Sequence, residues 1–347
     1  MVTGSTPPRT VRRARIVSLA TYVPPRVLNN ADLEKMVETS NEWILQRTGI
    51  RERHVVDAGV ATSDLAKEAS LAAIARAGLT PEDIDFIVVG TTTPDMAFPS
   101  TACLLQAKIG ASNAWGFDLS AACSGFTYAL TTAAQMVASG ASQRALVVGA
   151  DVMSSIIDYT DRTTCVLFGD GAGAVVVEAS DDPEVGIIDF ENYVDGHGGQ
   201  ALRMPAGGSL MPASHETVDQ RMHYVKQDGA AVFKFAVRNT EEVCRRLLER
   251  NGVGGEDIDL FVSHQANRRI IQSAAEKLGL SDEKVVINIE RFGNTTAGTI
   301  PLALNDAVND KRLKKGDLLL VASVGAGFTV GALLMRWGLK ESPASAG

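Results

Sequence analysis

Short apolar runs alternate along the chain with longer stretches in which apolar positions recur at helical spacing, so strands and helices are predicted in turn. Ile16–Val23 reads as a first strand. It is followed by an amphipathic segment around Ala31–Glu38 and a helix-like stretch, Asn41–His54, broken at Gly49. Thr62-Ser63-Asp64 caps a helix that runs through Ala77 and stops at Gly78. Asp85–Val89 has the unbroken apolarity of a strand buried on both faces, and a helix covers Ser100–Ile109. A strand over 115–119, a helix after Cys123 and a strand over Arg144–Val148 complete a β-α-β-α-β alternation. The helix after Cys123 is apolar on nearly every side (Phe126, Ala129, Leu130, Ala133, Ala134, Met136, Val137), the pattern of a helix at the centre of a domain. Thr164–Phe168 and Ala174–Glu178 are expected to pair as strands across the turn Gly169–Gly173.

The second half repeats the first. Pro81-Glu-Asp-Ile-Asp-Phe-Ile-Val-Val89 is echoed by Gly255-Glu-Asp-Ile-Asp-Leu-Phe-Val-Ser263, and Ala145–Gly149 by Leu318–Ala322. Cys123 lies 41 residues after Glu82. Asn294 lies 38 residues after Glu256 and also precedes a small-residue helix start. Gly169–Gly173 before a strand is matched by Gly325-Ala-Gly327 before Phe328–Met335. Matches in one order and at near-equal spacing predict a duplicated α/β unit. An N-terminal half, 12–180, would carry Cys123, and a C-terminal half, 181–340, would carry His264 and Asn294. Such halves would pack their central helices between two sheets in α-β-α-β-α layers. Between them, 195–228 has little periodicity and the length of a lid or binding loop. Residues 1–11 and 340–347 read as frayed tails.

Composition narrows the function classes. A hydrophobic share of 45% with 21% charged residues belongs to an ordinary globular protein, and 347 residues suggest about two units. A net charge of −8 gives no general basic face, which argues against nucleic-acid binding. Four scattered cysteines without a CxxC pair suggest a reducing compartment, and no metal-ligand cluster stands out. Arg9, Arg12, Arg13 and Arg15 before Ile16–Val23 faintly resemble a secretory signal, but the apolar run is short and Pro24-Pro25 follows it. No run approaches membrane-spanning length, so a cytoplasmic protein with no membrane partner is expected.

The chemistry-bearing candidates sit at strand ends. A lone cysteine is commonly a small core residue. Cys123, however, follows a strand and small residues and precedes Ser-Gly and a helix, the setting of an elbow that exposes a nucleophile. There a helix N-terminus would favour thiolate. Cys103, Cys165 and Cys244 lack that setting and are expected in the core. His264 ends the strand Leu260–Ser263, where both a functional and a satisfied core histidine are open readings; His54, His197, His215 and His223 read as surface. Asn294 reads either as an N-cap or as the duplicated counterpart of Cys123. Asn294-Thr-Thr296 also matches a glycosylation sequon, discounted without a signal peptide. Gly169-Asp-Gly171-Ala-Gly-Ala174 formally fits the dinucleotide fingerprint, but Val175-Val-Val177 follows where a helix is needed, so no nucleotide cofactor is expected from it. Gly325-Ala-Gly327 can turn sharply and aim a backbone N–H into a site.

Together these motifs carry a family resemblance. Glu42–Arg53, Ala97-Phe-Pro-Ser100, Ala121-Ala-Cys-Ser-Gly-Phe-Thr127, Phe168–Gly173, His264-Gln-Ala-Asn267 and Gly293-Asn-Thr295 resemble, in order over about 12–338, the bacterial 3-oxoacyl-[acyl-carrier-protein] synthase III family of the thiolase-like superfamily. The resemblance implies an acyltransferase that primes fatty-acid synthesis by decarboxylative Claisen condensation of an acyl-CoA with malonyl-carrier protein, needing no cofactor. Cys123 would be the acyl-accepting nucleophile, His264 and Asn294 the decarboxylation donors, and the N–H groups of Cys123 and Ala326 the oxyanion hole. Elongating relatives carry a second histidine where Asn294 stands. Trp43 and Arg162 would stack on the CoA adenine, Arg47 would pair with phosphates, and Asn267 would lie by the pantetheine arm. Lys234, Arg268 and Arg269, with Arg238 and Lys277, would meet the acidic carrier, although Glu276 replaces a base common in the family. Phe98 would enter the partner's acyl pocket in a homodimer. Val324, where many relatives have phenylalanine, would widen the acyl pocket and leave the primer open. The alternatives are a relative that transfers or condenses acyl-CoAs in secondary metabolism and, from another class, a non-catalytic binding protein on the same fold. A cysteine hydrolase is disfavoured because no water-activating acidic partner stands out.

Overall fold

The computed structural model describes residues 12–339, so both tails lie outside the described residues. In the first sheet, Ala14–Tyr22 pairs antiparallel with Gly171–Ala179, which pairs antiparallel with Arg144–Asp151. Phe86–Gly90 and Trp115–Leu119 continue it in parallel. The second sheet repeats that order with Gly186–Val194, Thr329–Arg336, Leu318–Gly325 and Leu260–Ser263. Its fifth position shrinks to a single parallel bridge between Phe261 and Val285.

The sequence pattern explains the layering. Strand side chains alternate between faces. Phe86, Val88, Val147, Val175 and Val177 point into one cluster, while Ile87, Val89, Leu146, Val148 and Val176 point into another. Both faces are covered, so the runs contain no polar alternation. The shared inner cluster holds the helices Gly125–Ala138 and Thr299–Asn309 between the two sheets. Phe126 and Leu304 are fully buried there, each contributing roughly 2 kcal/mol of apolar burial. The outer face of the first sheet carries Thr62–Arg76 and Thr101–Ile109. The outer face of the second carries Gly229–Asn251 and Arg268–Lys277. The result is five layers, α-β-α-β-α. All strands of the first sheet lie within 14–179 and those of the second within 186–336.

Two expected elements differ. Thr164–Leu167 is a run of turns, Phe168 forms a single parallel bridge with Asn294, and Gly171–Ala179 pairs with the first and fourth strands of its sheet in sequence order instead. The segment is wound by its own turn bonds, from the N–H groups of Thr164 and Cys165 to Asp161 O and from Leu167 N–H to Thr164 O, and the fully buried Arg53 guanidinium donates to the carbonyl of Val166 at 2.6 Å and to Asn30 Oδ1 at 2.8 Å. The segment at Ala31–Glu38 holds only the short helix Asn30–Leu33 before breaking into turns.

Candidate active site

Cys123, His264 and Asn294 line one cavity of about 100 Å³, together with Phe168, Asn267, Val324, Gly325 and Phe328. Cys123 and His264 follow strand ends, and Asn294 follows the short helix Ile289–Phe292 and Gly293. Cys123 is the middle residue of a 3-10 turn, Ala122–Ser124, between the strand Trp115–Leu119 and the buried helix. Ala122 adopts φ 48°, a left-handed conformation that a non-glycine residue adopts at a cost, here at the residue before the sulfur. Gly325 lies against this turn: a Cβ there would sit 2.8 Å from the Cys123 nitrogen. Only glycine allows that approach. Ala326 follows and lines a second cavity on the far side of Cys123.

The expected thiolate is not what this burial produces. Cys123 is 5% exposed, and its desolvation, with a further push from the Asp151 carboxylate, raises the thiol from 9.0 to about 12. A helix terminus is worth up to ~2 kcal/mol. Burial here opposes it by on the order of 4 kcal/mol, at about 1.36 per tenfold. Burial therefore favours the thiol form of Cys123.

His264 ends Leu260–Ser263, its N–H donating to the Ala322 carbonyl at 2.8 Å. Burial drives its pKa down to about 3, so the ring is neutral, and its Nδ1 is buried without a partner among the described residues. Asn294 is clamped through its backbone: its N–H donates to Leu167 O at 2.9 Å and its carbonyl accepts from Gly169 N at 3.0 Å. This explains why the Phe168-Gly169 stretch is part of the site. The Asn294 Oδ1 accepts the Thr296 N–H at 2.9 Å, which leaves the amide N–H groups to point elsewhere.

The duplication places the counterpart of Cys123 differently from expectation. Thr296 also has φ 48° and opens a matching 3-10 turn, Thr296–Gly298, before Thr299–Asn309. The residue equivalent to Cys123 is therefore Ala297, which lies 41 residues after Glu256. Asn294 stands ahead of its elbow.

At the surface, the Arg162 guanidinium lies 5.1 Å over the Trp43 ring and donates to Glu38 O at 2.9 Å. Arg47 is exposed near the same edge, and its carbonyl accepts from Asn267 Nδ2 at 2.8 Å. Lys234, Arg268 and Arg269 are exposed on two adjacent outer helices, with Arg269 5.2 Å over Phe233, which lines the first cavity. Phe98 is 85% exposed. Val324 lines the cavity of Cys123, His264 and Asn294. The second, mostly apolar cavity of about 150 Å³ is instead lined by Thr92, Ala122, Met153, Ile156, Met204 and Val225, among others. The last two come from 195–228, which is anchored by Arg221 on Asp158. Cys165 and Cys244 are buried as expected. Cys103 is exposed, because it falls on the outward side of its helix beside Ser100.

Sequence reasoning missed Asp151, Thr296 and the lining of the second cavity. Asp151 ends a strand, the position at which sites gather, and that signal was readable.

Family models described as 3-oxoacyl-[acyl-carrier-protein] synthase III match residues 117–196, and their C-terminal counterpart matches 248–337. The chain is 60% identical over 328 residues to the beta-ketoacyl-[acyl-carrier-protein] synthase III of Koribacter versatilis, covering 94% of this chain and 98% of that one. Its fold matches the crystal structure of 3-oxoacyl-[acyl-carrier-protein] synthase III from Aquifex aeolicus with TM-score 0.86 and 44% identity, over 93% and 100% of the two chains. It also resembles the priming beta-ketosynthase of the R1128 polyketide pathway, with TM-score 0.88 and 34% identity over 97% and 99%.

Proposed function

The chain belongs to the 3-oxoacyl-[acyl-carrier-protein] synthase III family, and on that premise we propose how Cys123, His264 and Asn294 divide its reaction. It is an acyltransferase that initiates fatty-acid synthesis by condensation. The observation that carries the division of labour is the shared cavity: one thiol, one neutral imidazole and one amide with its oxygen already engaged.

The Cys123 sulfur attacks the thioester carbon of an acyl-CoA. The oxyanion is met by the N–H groups of Cys123 and Ala326, the C–S bond to CoA breaks, and the thiol proton leaves as CoA-SH. Because burial favours the thiol, attack and proton loss proceed together. Malonyl-carrier then enters. Its C–C bond to the carboxylate breaks, CO₂ departs, and the electron pair becomes an enolate whose oxygen gathers charge. Asn294 N–H and the single N–H of neutral His264 suit that oxygen, each worth about 3 kcal/mol. The carbanion attacks the Cys123 thioester, a C–C bond forms, the C–S bond breaks, and the sulfur regains a proton from water.

Trp43 and Arg162 flank the adenine, Arg47 takes phosphates, and Asn267 lies along the pantetheine arm. Asn267 lining the cavity beside Phe233 supports that route. Lys234, Arg268 and Arg269 receive the acidic carrier at the same mouth. The mostly apolar cavity behind Cys123 takes the primer chain, with Phe98 of a second copy closing it. The strand Trp115–Leu119, paired on one side only and carrying exposed Trp115 and Phe117, supports a homodimer across that edge. Free cysteines support a cytoplasmic setting. Among the described residues no helix is long and apolar enough to cross a membrane.

Purified enzyme given malonyl-carrier and a panel of acyl-CoAs, with products read by mass spectrometry, should yield 3-oxoacyl-carrier from at least one primer. Acyl label should remain on Cys123 when malonyl-carrier is withheld. Label elsewhere would overturn the assignment.

A further inference from the structure

Asp151 is fully buried at the end of Arg144–Asp151, and its two oxygens serve the two halves of the chain. Oδ1 accepts from the N–H groups of Thr92 at 2.7 Å and Thr93 at 3.1 Å, and from the hydroxyls of Thr91, Thr92 and Thr93 at 2.9–3.1 Å. Oδ2 accepts from the Thr296 hydroxyl and from the Ala297 N–H at 3.1 Å. A buried carboxylate held this densely is fixed in direction as well as in place.

The second set of contacts reaches the cavity. Thr296 is the residue whose N–H engages Asn294 Oδ1. It holds φ 48°, a conformation that needs its surroundings to enforce it. We propose that Asp151 is a positioning residue: by gripping Thr296 and Ala297 it fixes the Thr296 N–H, which in turn sets the direction in which the Asn294 amide presents its donors. The same carboxylate holds Thr92, which lines the cavity behind Cys123, so one side chain keeps primer cavity and donor in register. Its negative charge also disfavours thiolate at Cys123, consistent with a sulfur that ionises only as it attacks.

This inference rests on Asn294 acting in decarboxylation, and the experiment separates the two claims. Acyl transfer from labelled acyl-CoA to Cys123, and CO₂ release from malonyl-carrier by the acylated enzyme, are measured separately for Thr296→Val, Asp151→Asn and Asn294→Ala, alone and combined. Thr296→Val removes one grip while leaving the buried carboxylate. It should slow CO₂ release by about 10- to 100-fold, the cost of a displaced catalytic group, and change acyl transfer by no more than about twofold. Added to Asn294→Ala it should cost nothing further. Asp151→Asn, with one oxygen for two sets of donors, should show the same split more strongly, and a thermal melt reports whether it folds. Equal loss of both half-reactions in Thr296→Val, or a loss that adds to that of Asn294→Ala, would overturn the positioning role. If Asn294→Ala itself spares CO₂ release, the parent reading fails instead.

Discussion

Cys123 and Ala297 stand at the same step of two matching elbows, each following a non-glycine residue at φ 48° and preceding a helix at the centre of the fold. The elbows touch: a Cβ on Gly125 would meet the Ala297 side chain at 3.3 Å. One elbow carries a thiol and its twin carries a methyl group, so the doubled architecture presents sulfur at only one of its two matching positions. Asn294, three positions ahead of Ala297, brings its amide into the cavity that Cys123 lines.

Contact between the elbows leaves no spare volume. A Cβ at Gly149, in the strand Arg144–Asp151, would lie 2.2 Å from the Ala297 carbonyl oxygen, so Gly149→Ala must push the Ala297 elbow away from that strand. We expect a loss of about 1–3 kcal/mol, visible as a lowered Tm, with acyl transfer to Cys123 also reduced. An unchanged melt and unchanged acylation would show that this packing is slack.

Removing the Asn294 amide should divide the two half-reactions. Asn294→Ala is expected to slow decarboxylation about 100- to 1000-fold while Cys123 still takes up acyl label at close to the normal rate. Single-turnover assays of each step check this, and parallel loss of both would refute separate roles.

Acid should destabilise the protein by two routes. His264, held near 3, stays unprotonated in the fold while the unfolded chain binds a proton below about 6.5. Stability is therefore lost as pH falls from about 6.5 toward 3. Asp158, whose carboxyl is held low chiefly by Arg221, contributes stability that is present above the ordinary carboxylate range and lost as pH falls through it. Denaturant melts at stepped pH should show the higher-pH part of this slope disappear in His264→Asn. Decarboxylation should show no inflection near 6.5 from His264, because the ring is neutral throughout the physiological range.

Cys103 should compete in any labelling experiment. It is exposed, whereas Cys123, Cys165 and Cys244 are buried. A brief maleimide treatment at neutral pH should modify mainly Cys103, and Cys103→Ser should remove that signal while leaving condensation unchanged. Mass spectrometry of digested peptides decides it. Rapid modification of Cys123 ahead of Cys103 would contradict the burial of the nucleophile.

The layers were legible because strands covered on both faces read as unbroken apolar runs, as at Phe86–Gly90, and because the duplication set Leu260–Ser263 beside its counterpart. Cys123, His264 and Asn294 were findable because each follows a strand end or a glycine turn. Thr164–Phe168 was misread because its apolar run is wound into turns starting at Asp161, and its burial against Arg53, distant in sequence, is not revealed by any local pattern. Asp151 escaped notice for a related reason: its partners, Thr91–Thr93 and Thr296, come from opposite halves of the chain. The state of the Cys123 thiol depends on burial, which the position of a helix terminus does not report.

The Arg162 guanidinium over Trp43 has a consequence for turnover on the proposed adenine site. At 5.1 Å from the ring, with a hydrogen bond to Glu38, the cation already occupies the space a flat base needs. Two stacked contacts require about 7 Å. A base stacking between the two side chains, as proposed, would have to displace the Arg162–Trp43 contact, exchanging one favourable contact for another. On that reading the contact opposes free CoA and acyl-CoA alike, since both carry the same base, and so it weakens the grip on spent CoA as well as on the arriving acyl-CoA.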